Sequence, residues 1–272
     1  MSRMRPSKVP RKTPPEMALM RQAGAILART LDKLAEAMQP GVTTAELDAL
    51  AEEHLRSEGA IPSFKGYNGY PASICIEVED VVVHGIPSHG ERLREGTLVG
   101  VDVGCAYEGW NADAAFTVAV GEVDDLRRRL MEATREALDA AIAVAAPGRV
   151  VGDISRAIQQ IAESAGFGVV RALVGHGIGR QMHEPPDIPN YYEPGALADY
   201  ELALRPGMAL ALEPMVTAGT YEVRQDADGW TTRTADGMPA AHFEHTVAIA
   251  KNGAEVLTAS RPPNRTGPVS GD

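Results

Sequence analysis

The sequence predicts an α+β chain in which one αβ unit is used twice, related by a pseudo-twofold, with the antiparallel strands of both copies around one central cavity. Three observations carry this. Capping signatures of one kind open two successive helices in the first half. The offset that brings Pro40-Gly41 onto Pro147-Gly148 also brings Leu47 onto Ile154, Ala51 onto Ile158 and Gly59 onto Gly166. Leu93-Arg94-Glu95-Gly96 and Leu204-Arg205-Pro206-Gly207 each introduce an aliphatic strand with a carboxylate at the same step after the glycine.

Thr13-Pro14-Pro15-Glu16 is a capping box with proline at the first helical position, so a helix runs from there to about Met38 and stops at Pro40-Gly41. Thr43 and Glu46 repeat the capping box and open a second helix that ends near Gly59. In the second half the apolar residues that align with this helix keep the same helical spacing. The strand Thr97 to Val103 sets Val99, Val101 and Val103 on one face and Asp102 on the other. The strand Met208 to Met215 likewise sets Leu210 and Leu212 against Glu213. A looser match places Asp113 ahead of Thr117-Val118-Ala119-Val120 and Glu244 ahead of Thr246-Val247-Ala248-Ile249, with a slip of two residues that calls for a bulge. The repeat makes residues 13–260 a single domain, with halves at about 13–123 and 124–260, between a basic tail at 1–12 and a Pro/Gly/Ser-rich tail at 261–272, both expected to be flexible.

The chain has 272 residues, and its hydrophobic share of 44% supports a sizeable core. A net charge of −11 argues against general binding to nucleic acid, which needs a basic face. Cys75 and Cys105 are the two cysteines, too few for a disulfide framework, which points to a reducing, cytoplasmic setting. No stretch approaches the roughly 20 apolar residues of a membrane span. Arg3, Arg5, Lys8, Arg11 and Lys12 come without an apolar run, so residues 1–12 are no signal peptide. They are read as solvated, with a ribosome or RNA contact as the sharper alternative. Nothing demands an oligomer, and a monomer is expected.

Four carboxylates on aliphatic strands need a counter-charge, because buried carboxylates repel one another and lack solvent. A pair of divalent ions supplies it. His176 alone, in Gly175-His176-Gly177-Ile178-Gly179, reads as a satisfied loop histidine. Beside Asp102, Asp113, Glu213 and Glu244 it reads as a fifth ligand, on a turn whose glycines let the backbone come close. Such an oxygen-rich set with one imidazole suits Mn, Fe, Co or Zn. His84, at the end of Val81-Val82-Val83, and His183, in Met182-His183-Glu184-Pro185-Pro186, are candidates to touch substrate. His245 is a candidate orienter of Glu244. His54, His89 and His242 receive no role.

Together the segments Gly69-Tyr70-Pro71, His84-Gly85-Ile86-Pro87, Val101-Asp102-Val103, Gly175-His176-Gly177-Ile178-Gly179, Glu213-Pro214-Met215 and Phe243-Glu244-His245-Thr246 make the chain resemble the bacterial type I methionine aminopeptidases of metallopeptidase family M24, from about Thr13 to Ser260. The resemblance implies the pita-bread fold, the five metal ligands above, and His84 and His183 beside the substrate. It implies a methionine pocket in which Tyr67, Tyr70, Cys75 and Trp230 match the family. Phe64 stands there where smaller residues are common, and Met182 where aromatic ones are. Asn111-Ala112-Asp113-Ala114, Gly104 and Glu79 also depart from the usual pattern, Glu79 at a place where some relatives hold a monovalent cation beside an asparagine.

The activity so implied is removal of the initiator methionine from nascent polypeptides with a small second residue. Two ions would lower the pKa of an attacking water, and Glu213 would take its proton and return it to the leaving amine. His84 and His183 would stabilise the oxyanion or the scissile amide. Two rivals are a proline-specific aminopeptidase or creatinase relative, which carries an extra N-terminal domain, and a binding protein that has lost catalysis and with it some ligands.

Overall fold

The computed structural model describes residues 8–259, so Arg3, Arg5 and the tail 261–272 lie outside the described residues. The first helix, α1 (Pro14–Ala37), starts where its capping box requires: the Glu16 carboxylate accepts from both the backbone and the hydroxyl of Thr13 at 2.8 Å. Helix α2 (Thr44–Ser57) repeats the device through Thr43 and Glu46. After them come β1 (Ile61–Pro62), β2 (Ile74–Val78), β3 (Val81–Val83), β4 (Thr97–Tyr107) and β5 (Trp110–Val120). Strands β4 and β5 form one long hairpin closed over Glu108 and Gly109, whose φ angles of 51° and 74° suit the turn of a two-residue hairpin. The first strand is thus longer than expected, and Asp113 lies within β5 rather than ahead of it, because the short turn lets the ladder run to its end.

The second half repeats the plan. Helices α3 (Asp125–Val144) and α4 (Val151–Ser164) lead into β6 (Gly168–Val169), β7 (Val174–Gly177), β8 (Glu184–Pro189), β9 (Ala209–Leu212) and β10 (Met215–Thr217). Then follow β11 (Val223–Gln225), β12 (Thr232–Thr234), β13 (Ala240–His242), β14 (His245–Ala250) and β15 (Gly253–Val256). All pairings are antiparallel. One sheet joins β1, β4, β2 and β5; its counterpart runs β15-β14-β9-β7-β8. Each half buries its own apolar faces. Leu27, Leu47, Ile74 and Val101 belong to the first core, and Leu138, Ile154, Leu210 and Val247 to the second.

Two elements differ from the sequence reading. The expected strand from Met208 to Met215 breaks at Glu213-Pro214: β9 ends at Leu212, and β10 pairs with β13 and β6 instead. Pro214 has no N–H for the ladder, so the chain changes sheets there. The glycine-rich run around His176 is strand β7, not a turn. A Cβ on Gly177 would lie 2.1 Å from the Pro185 carbonyl oxygen, so glycine is needed for close approach of a neighbouring backbone. Lys12, read as part of a solvated tail, is buried: its Nζ lies 2.8 Å from Glu184 Oε2, and its N–H donates to the Gly207 carbonyl at 2.6 Å.

Candidate metal centre and substrate cavity

The two halves meet along a seam between β5 and the chain around Glu244. Ala115 and Glu244 exchange backbone hydrogen bonds of 3.3 and 2.8 Å. On one side the Thr246 hydroxyl accepts from the Asp113 N–H at 2.9 Å and donates to its carbonyl at 2.8 Å. On the other the Thr117 hydroxyl does the same for His242, at 3.0 and 2.8 Å. These bonds fix Asp113 and Glu244 beside each other. Strand β4 contributes Asp102 opposite Cys75, and β7 contributes His176. The break after β9 contributes Glu213, whose carbonyl accepts from Asn190 Nδ2 at 3.0 Å.

The structure brings all five expected ligands to one cavity of about 270 Å³, together with His84, His183, Phe64, Tyr67, Tyr70, Cys75 and Trp230. His176 Nε2 lies 3.5 Å from Glu213 Oε1 and 3.8 Å from Asp113 Oδ2. Its Nδ1 lies 2.9 Å from the Gly177 carbonyl, so the N–H is committed there and Nε2 keeps its lone pair toward the acids. Burial, helped by His183, lowers the His176 pKa to about 3. Ligand atoms of Asp113, His176 and Glu244 fall within 4.8 Å of one another.

The carboxylates are held against their ordinary ionisation. Burial raises Asp102 to about 7 and Glu213 to about 8, although His242 opposes both shifts. Burial followed by the neighbouring acids raises Asp113 and Glu244. Asp102 Oδ1, Asp113 Oδ1 and Glu244 Oε1 are buried without a hydrogen-bond partner. Orphaned carboxylate-type oxygens converging with a neutral imidazole fit divalent cations by donor type, and a cation would restore their ionised form.

Around the acids sit the candidate substrate groups. The His183 ring lies 4.2 Å from that of His176, tilted by 52°, and its Nδ1 lies 2.9 Å from the Tyr67 hydroxyl. With the tyrosine donating, Nε2–H remains for a substrate. His84 adopts φ 60°, a sparsely populated conformation for a non-glycine residue, and burial lowers its pKa to about 4. Tyr70 packs edge-on to Trp230 at 5.1 Å, and its hydroxyl lies within 3.0 Å of the Ile74 and Gly85 carbonyls. Phe64 lines the apolar end. Met182 belongs to the same apolar cluster but does not line the cavity. A Cβ on Gly104 would lie 2.7 Å from Phe64 Cε1 and 2.8 Å from Met182 Cε, so the two side chains meet over the bare glycine, with Met182 behind.

Several residues differ from expectation. His245 alternates to the other face of β14, and its Nδ1 lies 2.9 Å from Thr258 Oγ1, away from Glu244. The Glu79 carboxylate is taken up by the Arg127 guanidinium and the Leu98 N–H. Glu77 and His242 have no role in the sequence reading, yet both are buried in this region, with His242 Nδ1 2.9 Å from Glu77 Oε1. The period of two was the available signal: Glu77 is two residues past Cys75, and His242 two before Glu244. Asn68 also lines the cavity and carried no sequence signal.

The family model described as metallopeptidase family M24 matches residues 18–251. The methionine aminopeptidase of Clostridium acetobutylicum is 49% identical over 247 residues, covering 91% of this chain and 97% of that one. Methionine aminopeptidase 1 of Bacillus subtilis is 46% identical, over 91% of this chain and 98% of its own. Among solved structures, a methionine aminopeptidase from Thermotoga maritima superposes with a TM-score of 0.90 at 44% identity, covering 93% of this chain and all (100%) of that one. A prolidase from Pyrococcus furiosus shares the fold, with a TM-score of 0.74 at 24% identity, and this chain covers 66% of its length.

Proposed function

The chain belongs to metallopeptidase family M24, and from that premise we propose that it is a metal-dependent enzyme that removes the N-terminal methionine from polypeptides whose second residue is small. One observation carries the reading: five side chains with the donor types of a two-ion site converge in one cavity with Phe64, Tyr70, Cys75 and Trp230. The rival reading as a prolidase-type enzyme shares the fold, but the relatives matched at 46–49% identity over nearly their whole length are named methionine aminopeptidases.

Asp102, Asp113, His176, Glu213 and Glu244 would hold two divalent ions drawn from Co, Mn, Fe and Zn. When bound, the ions supply Lewis acidity at the scissile carbonyl and make water nucleophilic near neutral pH. Glu213 accepts the proton of the attacking water and returns it to the leaving amine. His183, held by Tyr67, and His84 stabilise the tetrahedral oxyanion or the scissile amide. Tyr70, Cys75, Trp230 and Phe64 enclose the methionine side chain, whose thioether suits aromatic walls. Only the first residue would be released if the metal site holds the substrate's free α-amine, which an internal peptide bond does not offer.

The catalytic domain spans 13–260, in halves 13–123 and 124–260. Among the described residues no helix is long and apolar enough to cross a membrane. The enzyme works as a cytoplasmic monomer on nascent chains, and the basic residues ahead of Lys12 are its candidate ribosome contact. Mass analysis of Met-Ala-Ser and Met-Lys-Ser peptides after incubation with the Mn- or Co-loaded protein tests the activity. Methionine should leave the first peptide and not the second, and Glu213→Gln should abolish release while metal stays bound. Equal release from both peptides, or near wild-type turnover by the variant, would refute the assignment.

A further inference from the structure

The duplicated fold sets up a comparison between the two sides of the metal centre. On the seam, the antiparallel exchange between Ala115 and Glu244 relates Thr117 to Thr246, and the same relation carries Asp113 onto His242. The hydroxyl bridges agree: Thr246 spans the backbone of Asp113 as Thr117 spans that of His242. In the sheets, Glu77 pairs with Gly100, two residues before Asp102, and His176 pairs with Ala211, two residues before Glu213. Asp102 therefore corresponds to Glu213, Glu77 to His176 and His242 to Asp113. The group His176, Glu213, Asp113 on one side has its counterpart in Glu77, Asp102, His242 on the other. Both hold two carboxylates and one imidazole.

The counterpart group has the marks of a cation site. Its three ligand atoms lie within 4.8 Å of one another. Glu77, Asp102 and His242 are buried, with exposures of 4%, 7% and 2%. Each keeps one buried polar atom without a hydrogen-bond partner: Glu77 Oε2, Asp102 Oδ1 and His242 Nε2. Glu77 also has a built seat. A Cβ on Gly100 would lie 2.2 Å from its Oε2, so the carboxylate occupies space that only glycine leaves open. The hydrogen bond of 2.9 Å between His242 Nδ1 and Glu77 Oε1 orients the imidazole and leaves Nε2 as its free ring nitrogen.

We propose that Glu77 and His242 are metal ligands, binding together with Asp102 the divalent ion on the first-half side of the centre. This rests on the two-ion reading above and adds two side chains to it. Calorimetric titration of Mn(II) into the metal-free protein, with the absorption spectrum of the Co(II) form, tests it. Glu77→Gln, nearly isosteric, and His242→Ala should each weaken one ion by about 10–100-fold and alter the Co(II) spectrum, while the second ion binds as in the wild type. Gly100→Ala, which displaces the Glu77 carboxylate without removing it, should do the same. His176→Ala should weaken the other ion. Wild-type affinities and spectrum in folded Glu77→Gln and His242→Ala protein would overturn the assignment, as would equal weakening of both ions in each. If His176→Ala also left both affinities unchanged, the two-ion reading itself would fall.

Discussion

Lys12→Ala tests how the segment ahead of α1 supports the cavity. The Lys12 ammonium lies 2.8 Å from Glu184 Oε2, and the two side chains are 2% and 8% exposed. The other carboxylate oxygen accepts only the Gln181 N–H, at 3.2 Å. Without the ammonium, a desolvated carboxylate keeps one neutral donor. Breaking a buried pair in this one-sided way costs about 3–5 kcal/mol. At roughly 2–4 °C per kcal/mol for a chain of this size, the melting temperature should fall by about 6–20 °C. The backbone anchor from Lys12 to Gly207 is untouched, so the loss comes from the charge. Lys12→Met keeps the aliphatic stem and should fall nearly as far. Combining it with Glu184→Gln removes the stranded charge and should recover more than half of the loss. Glu184 directly follows His183, so methionine release from Met-Ala-Ser should drop in the single variants with metal content unchanged. Thermal melts and peptide rates of the three variants are the assay. A drop of less than about 2 °C in Lys12→Ala, or no recovery in the double variant, would refute the reasoning.

Two further outcomes follow from the site. The metal-free protein should lose stability as pH rises from about 6.5 to 8: Asp102 and Glu213, raised to about 7 and 8, bind more protons folded than unfolded there, and His242, raised to about 9 by Glu77 against the effect of burial, acts in the same sense. The lowered histidines His84 and His176 oppose this at the acid end of the window and fade as pH rises past the unfolded imidazole value of about 6.5, so melts at pH 6.5 and 8 should differ without metal and converge with saturating Mn(II); a metal-free protein more stable at pH 8 would contradict the shifts. Phe64→Cys should weaken methionine recognition by about 1–3 kcal/mol, and Met182→Phe should change that cost because the two side chains meet over Gly104. Strict additivity in a double-mutant cycle on the Met-Ala-Ser rate would separate them.

The sequence made the helices and the ligand strands legible because each carries a local cause. The capping boxes at Thr13 and Thr43 fix helix starts through bonds only three residues long, and both formed as read. Asp102 stood out because its neighbours in β4 are aliphatic at a period of two. The strand break at Pro214 was also written locally, although the aliphatic run masked it. Lys12 was not legible, because its partner is 172 positions away and nothing in a basic run distinguishes the one lysine that will be buried.

Glu77 and His242 were hidden for a different reason. Aligning halves by residue type finds Asp102 with Glu213, where the chemistry is kept. It misses Glu77 with His176 and Asp113 with His242, where acid and imidazole have exchanged places. Only strand register exposes that exchange, since Gly100 and Ala211 occupy equivalent steps opposite Glu77 and His176. Duplication preserved the backbone positions from which ligands can reach the centre, while the side chains at those positions diverged. A search for function in such a fold therefore gains from asking, for every ligand, what stands at its counterpart. Here the answer at two of those counterparts is another buried group able to bind a cation.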